Sequence, residues 1–218
     1  MEKLDIYLTK ASAIGYAIGF TIALLYIVTG FWVLNNIIGI AFSVAGIRLL
    51  KFTNFKIGLI ALWGLFLYDI WWVFYTDVMV SVAKGIDGPI LLKFLIDPVE
   101  KKYSMLGLGD MVIPGAFVSL CLKFDIDSAV TAAISSKKAI QFTSLKTSYF
   151  NWNIGFYILG IFITYIYMIW FNHPQPALLY LVPCATIGLV IAFLLNKTQF
   201  QKLWVYEAVK SEEENKSK

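Results

Sequence analysis

Two aspartates interrupt stretches otherwise suited to hydrocarbon: Asp69 within Ile57–Thr76 and Asp110 within Tyr103–Leu122. An ionised carboxylate near a bilayer centre costs about 2.5–3.5 kcal/mol on insertion scales, so acids retained there usually serve function. Counted inward from the ends on one side, Asp69 lies seven residues from Thr76 and Asp110 seven from Tyr103. On antiparallel helices rising about 1.5 Å per residue, both acids reach a depth of about 10 Å. Facing carboxylates in a low-dielectric site cannot both ionise comfortably and tend to share one proton. Such a pair can activate water: the ionised member takes a proton from it while the protonated member polarises a carbonyl.

The elements that must position this pair are membrane helices. The 218 residues are 59% hydrophobic and 15% charged, with a mean hydropathy of +0.73. A soluble domain averages about 25% charged residues, so composition alone predicts an integral membrane protein. The net charge of +4 is spread along loops, which is no nucleic-acid footprint. Cys121 and Cys184 both lie in apolar stretches and read as small packing residues. The apolar run from Ala11 is too long for a signal-peptide core and ends in Asn35–Asn36, so the first span is expected to act as its own insertion signal.

No charge occurs from Ala11 to Ile47, a stretch of about 55 Å as helix and too long for one crossing of a ~30 Å core. A break at Asn35–Asn36 predicts spans at 12–34 and 37–50, the second short, with Arg48 and Lys51 reaching the headgroups. Further spans are expected at 57–76 and 103–122, and Thr147–Asn196 divides at Asn172-His173-Pro174-Gln175-Pro176 into spans at 148–171 and 176–195. The expected fold is therefore an all-α, polytopic transmembrane bundle of about six spans. It forms one domain over 1–209, followed by a disordered, charged tail at 210–218. Fourteen of the 18 lysines and arginines fall on the side that carries both termini, so positive-inside places the termini in the cytosol. The sequons at Asn196 and Asn215 share that side and are expected to stay unmodified. The exoplasmic loop 77–102 carries apolar clusters and reads as a tether with a short interfacial helix, or as a gate over the acids.

Asp110 closes the run Leu106-Gly107-Leu108-Gly109-Asp110, whose glycines permit close backbone approach by a neighbouring helix or an extended strand. Asp69 follows Tyr68, whose hydroxyl could bond at the site or anchor the interface. Gln175-Pro176-Ala177-Leu178 opens the last span, where proline frees carbonyls beside protein or a watered cavity. The Tyr68–Asp69 pair, the GxGD ending at Asp110 and the Pro176-Ala177-Leu178 triplet together resemble intramembrane aspartyl proteases. Residues 107–115 and 175–183 are more similar to signal peptide peptidase than to presenilin. The resemblance runs from about Trp32 to Glu207, and the cytosolic C-terminus read from charge agrees with it. That family has nine spans, and the resemblance places this chain's first span near the family's fourth.

The resemblance implies that Asp69 and Asp110 are the catalytic acids. It also implies that Tyr68, Gly107, Leu108, Gly109, Gln175, Pro176, Ala177 and Leu178 shape the substrate site. The implied activity is an intramembrane aspartyl endopeptidase that needs no cofactor or metal. Its substrates would be signal peptides and type II-oriented transmembrane segments, whose N-termini are cytosolic. It would work as a multi-pass protein in the endoplasmic reticulum membrane, with the lipid bilayer as partner and homo-oligomerisation open. The single histidine, His173, precludes an HExxH zinc site, and no glycine-flanked serine supplies a nucleophile. Two other readings use the same residues. One is a proton-coupled transporter or channel with the acids as a relay; the other is a catalytically silent factor that binds membrane segments.

Overall fold

The computed structural model describes residues 10–75, 89, 91–97, 102–136, 147–171, 177–196, 204 and 206. Among them the chain forms α1 (Lys10–Thr29), α2 (Trp32–Leu49), α3 (Phe55–Tyr75), β1 (Leu91–Asp97), β2 (Lys102–Gly107), α4 (Leu108–Ser136), α5 (Ser148–Phe171) and α6 (Leu178–Asn196). Stretches of α1, α2, α3 and α6 are long and apolar enough to cross a membrane, while α5 covers the expected 148–171 and α4 overlaps the expected 103–122 only from Leu108 onward. The helical-bundle class expected from composition holds, with one β-hairpin added to it. Two compact units are distinguished, one of residues 1–42 and 87–108, the other of residues 43–86 and 109–218.

In the first unit, α1 ends where Gly30 takes a φ of +60° and its N–H donates to the Tyr26 carbonyl at 2.8 Å. Glycine takes this left-handed conformation without a Cβ penalty and stops the helix. The break expected at Asn35–Asn36 therefore falls earlier, and α2 is a full-length helix of 18 residues rather than a short one. The two asparagines work differently. Asn36 Nδ2 donates to the Lys93 carbonyl and its Oδ1 accepts the Lys93 N–H, both at 2.8 Å. Asn35 Nδ2 donates to the Leu91 carbonyl at 2.7 Å, and its Oδ1 accepts the Tyr26 hydroxyl at 3.2 Å. Two side-chain amides thus satisfy the outer edge of β1, whose peptide groups would otherwise go unpaired in apolar surroundings.

β1 pairs antiparallel with β2, Leu91 opposite Gly107 and Phe94 opposite Ser104. Residues 102–107, expected as the start of a span, are thus strand, and helix begins at Leu108. The apolar cluster 91–96 of the exoplasmic loop is likewise strand rather than interfacial helix. Residues 77–88 of that loop lie outside the described set, so the gate reading rests on sequence alone. Leu108 and Leu92 are buried, and both approach α2 at Gly39, where an added Cβ would stand 2.9 Å from Leu92 Cδ2.

In the second unit, α3 starts under an Asn54 cap whose Oδ1 accepts the Ile57 N–H at 3.1 Å. Its core joins Phe55 and Leu62 of α3 to Phe117, Leu120, Cys121 and Phe124 of α4, Tyr149 of α5, and Leu178, Val182, Ala185 and Leu189 of α6. Cys121 packs there as a free thiol, as expected. Phe55 and Phe124 meet edge-on with ring centroids 5.5 Å apart. Asp125 Oδ2 accepts the Phe150 N–H at 2.9 Å, so a side chain of α4 caps the first turn of α5. α4 continues to Ser136, well past the expected end of that span at Leu122.

Small residues seat α5 against α6. A Cβ on Gly188 would stand 3.1 Å from Asn153 Cα and 3.2 Å from the Trp152 carbonyl; one on Gly160 would stand 3.3 Å from Leu181 Cα. Asn153, fully buried in α5, donates to the Ala185 carbonyl at 2.9 Å, and Asn196 Nδ2 donates to Ser148 Oγ at 2.9 Å. Residue numbers fall on α6 as they rise on α5, so the two helices are antiparallel. In lipid such close packing and interhelical bonds replace the hydrophobic drive as the source of association. Gly188→Leu should therefore destabilise the fold by about 1–3 kcal/mol through overpacking. Gly155→Ala, where a Cβ meets nothing within 4 Å, should be neutral or stabilise by up to about 1 kcal/mol. Thermal unfolding in detergent measures both, and an unchanged Gly188→Leu midpoint would contradict this seating.

Candidate active site

Asp69 lies in the last two turns of α3 and is 9% exposed. Its partner comes from α6. Leu178 is the first residue of that helix, and its backbone N–H donates to the Asp69 carboxylate. The first N–H groups of any helix lack intrahelical acceptors, and the positive end of the helix dipole favours an anion there. Ala177 just before it is buried, and its carbonyl accepts the Tyr180 and Leu181 N–H groups at 3.2 Å each. The Ala177–Leu178 segment is thereby held by the turn it begins and directed at Asp69. The second carboxylate oxygen of Asp69, Oδ2, is buried without a hydrogen bond.

Asp110 is the third residue of α4 and half-buried. It lies within electrostatic range of Asp69, in the same compact unit. The equal depths inferred from continuous helices do not describe how this happens, because β2 replaces the first turns of the expected span. Asp110 instead occupies a first helical turn, where a carboxylate faces the favourable end of the dipole. Four residues on, Pro114 is fully buried within α4, and its missing N–H deprives the Asp110 carbonyl of its helical partner.

The Met111 carbonyl next to it accepts the Tyr157 hydroxyl from α5 at 3.2 Å. Tyr157 steadies the backbone that carries Asp110, and sequence reasoning missed it. Its only sequence signal is a tyrosine among many in an aromatic helix, whereas Pro114 was legible by its spacing from Asp110. Gly109, also in the first turn, is exposed, and an added Cβ there would meet no described atom within 4 Å.

Three further expected residues are described. Tyr68 is 59% exposed and packs against the Trp72 ring at 5.7 Å, so it sits on an outer face of α3. Gly107 ends β2 and Leu108 opens α4, both in the first compact unit. Gln175 and Pro176 lie outside the described residues. Among those described, no group of three or more His, Cys, Asp or Glu could hold a metal ion.

A buried carboxylate with an unpaired oxygen is a liability for folding. Asp69→Asn keeps an oxygen for the Leu178 N–H and removes the charge. Its thermal midpoint should match or exceed wild type, following the stability–function trade-off of polar sites. A fall equivalent to more than about 2 kcal/mol would mean that the charge itself holds the helices together.

Comparison with known proteins bears on this site. A family model described as signal peptide peptidase, peptidase A22B, matches residues 1–210. Intramembrane protease 2 of Caenorhabditis elegans is 46% identical over 86% of this chain and 41% of its own length. The signal peptide peptidases of Mus musculus and Homo sapiens are 44% and 43% identical, each over 84% of this chain and 46% of their own length. The chain spans less than half the length of these relatives. No solved structure matches it. By the extent of that match the chain belongs to the signal peptide peptidase family.

Proposed function

We propose that this chain carries the catalytic centre of an intramembrane aspartyl endopeptidase, with Asp69 and Asp110 as the acids. The observation that supports it most is that two carboxylates lie within electrostatic range in one compact unit, one of them held by the amide at the start of α6. Substrates are transmembrane segments with cytosolic N-termini, above all signal peptides left in the membrane after their release. One acid, ionised, takes a proton from water as the water oxygen bonds to the scissile carbonyl carbon; the other, protonated, donates to the carbonyl oxygen. The resulting tetrahedral carbon collapses as the leaving nitrogen takes a proton from the acid pair, and the C–N bond breaks. No metal or cofactor enters the reaction.

A peptide bond inside a helix is shielded, so the substrate must unwind to an extended segment at the site. The open space beside Gly109 is assigned to that segment, with Ala177 and Leu178 shaping the other side and Gln175 and Pro176 preceding them. The chain crosses the membrane six times with both termini in the cytosol, in the endoplasmic reticulum.

Purified protein should cleave a signal-peptide reporter. Asp69→Ala and Asp110→Ala should each lower turnover by at least about 10³-fold, the scale lost when a catalytic carboxylate is removed. Folded variants that keep turnover would refute the assignment, and proton flux in liposomes without cleavage would favour a relay. The pH–rate profile should be bell-shaped, since one acid must be charged and the other neutral. Gly109→Ala should leave thermal stability within about 1 kcal/mol yet reduce cleavage at least tenfold. Unaltered cleavage in that variant would remove Gly109 from the substrate path.

A further inference from the structure

The carboxy-terminal part of α2 and the middle of α4 pack in parallel. Gly46 meets Val112, with an added Cβ 3.1 Å from Val112 Cγ1, and Gly115 meets Ile47, with an added Cβ 2.7 Å from Ile47 Cδ1. One turn further along both helices the seam opens into a cavity of about 460 Å³. It is lined by Val44, Ile47, Arg48, Lys51, Phe52, Ser119, Leu120 and Lys123. Its size falls within the range of small-molecule sites, about 300–1,000 Å³.

The composition of this lining is divided. Val44, Ile47, Phe52 and Leu120 form apolar walls, whereas Arg48, Lys51 and Lys123 bring three formal positive charges and Ser119 a hydroxyl. No carboxylate is among these lining residues. The cations also share a level along the chain. Arg48 stands in the last turn of α2 and Lys51 just beyond it; Lys123 directly follows the apolar stretch of α4 that ends at Leu122. By the expected span boundaries, all three lie where apolar segments leave hydrocarbon for the headgroup layer. A free phosphate would satisfy the charges and leave the apolar walls empty. A fatty chain alone would fill the walls but offer no anion to the cations.

We propose that this cavity binds the phosphate-bearing headgroup of an anionic glycerophospholipid, its glycerol and upper acyl carbons lying against the apolar walls. Arg48, Lys51 and Lys123 engage the phosphate, with Ser119 as an additional donor. Basic pockets between membrane helices suit such headgroups, and each cation near an anionic surface contributes roughly a fivefold gain in binding. The leaflet follows from the cytosolic placement of these residues proposed above. The binding itself does not require that the chain be a protease.

Native mass spectrometry of the full chain, delipidated and then given phosphatidylserine, phosphatidylinositol 4-phosphate or phosphatidylcholine, tests it. The anionic lipids should be retained preferentially. Arg48→Gln with Lys123→Gln should lower their retention by about tenfold or more, while Arg48→Lys with Lys123→Arg and the hairpin variant Lys93→Gln should retain them. Asp69→Ala should bind lipid as wild type does, which separates this outcome from failure of the catalytic reading. Equal retention of phosphatidylcholine by the unmodified chain would overturn the proposal, whether or not the double variant folds. So would unchanged anionic binding in the folded double variant. Displacement of bound lipid by excess inorganic phosphate would overturn it in favour of a site for free phosphate.

Discussion

The second compact unit is organised around one constraint: a carboxylate placed among apolar helices must be met by polar groups from elsewhere in the chain. Asp69 meets it with the Leu178 N–H, a donor that exists because α6 begins there. A helix N-terminus offers both an orphan N–H and the positive end of a dipole. The meeting of α3 and α6 is therefore electrostatic as well as steric. It is backed by Leu62 and Leu178, which share the apolar core. What the arrangement does not satisfy is equally informative. Oδ2 of Asp69 remains buried without a hydrogen bond, and its charge reaches Asp110 on α4. Unrelieved polarity of this kind is expected where a site is held ready for a reacting molecule.

The same constraint acts on the backbone of the first unit. A hairpin beside apolar helices would leave the outer edge of β1 unpaired, and Asn35 and Asn36 fill that edge with amide groups. Elsewhere the helices are joined by close approach at glycine. Gly188 and Gly160 let α5 and α6 touch backbone to backbone, and Gly115 admits Ile47. Such packing suits a solvent as apolar as the side chains themselves, where burial in protein gains little over burial in lipid. The widespread exposure of large apolar residues along α1, such as Ile27 at 77% and Val28 at 81%, fits the same environment.

Much of this was legible from residue types alone. Asp69 and Asp110 announced themselves because a charge within a hydrocarbon-length run is costly, and the ends of α3, α5 and α6 fell within a few residues of expectation. Other features were not legible. Asn35–Asn36 read as a helix break because asparagine is a poor helix former, yet tertiary hydrogen bonds to β1 hold it inside α2. The true break at Gly30 looked like any glycine in an apolar run. Residues 102–107 read as helix because their apolar content suits either element, and only pairing with 91–97 made them strand. Tyr68, adjacent to an acid in sequence, is turned outward because neighbours on a helix point about 100° apart.

By itself the sequence determined the solvent, the helical class and the identity of the two acids. Each follows from composition and from the cost of charge in hydrocarbon, which are properties of residues wherever they sit. Tertiary structure alone decided that the acids fall within electrostatic range, that the first amide of α6 holds one of them, and that Tyr157 braces the backbone beside the other. Those contacts join residues dozens of positions apart. Hydrogen-bond geometry and helix packing select among the many pairings that local periodicity leaves open, and both come into existence only when the helices assemble.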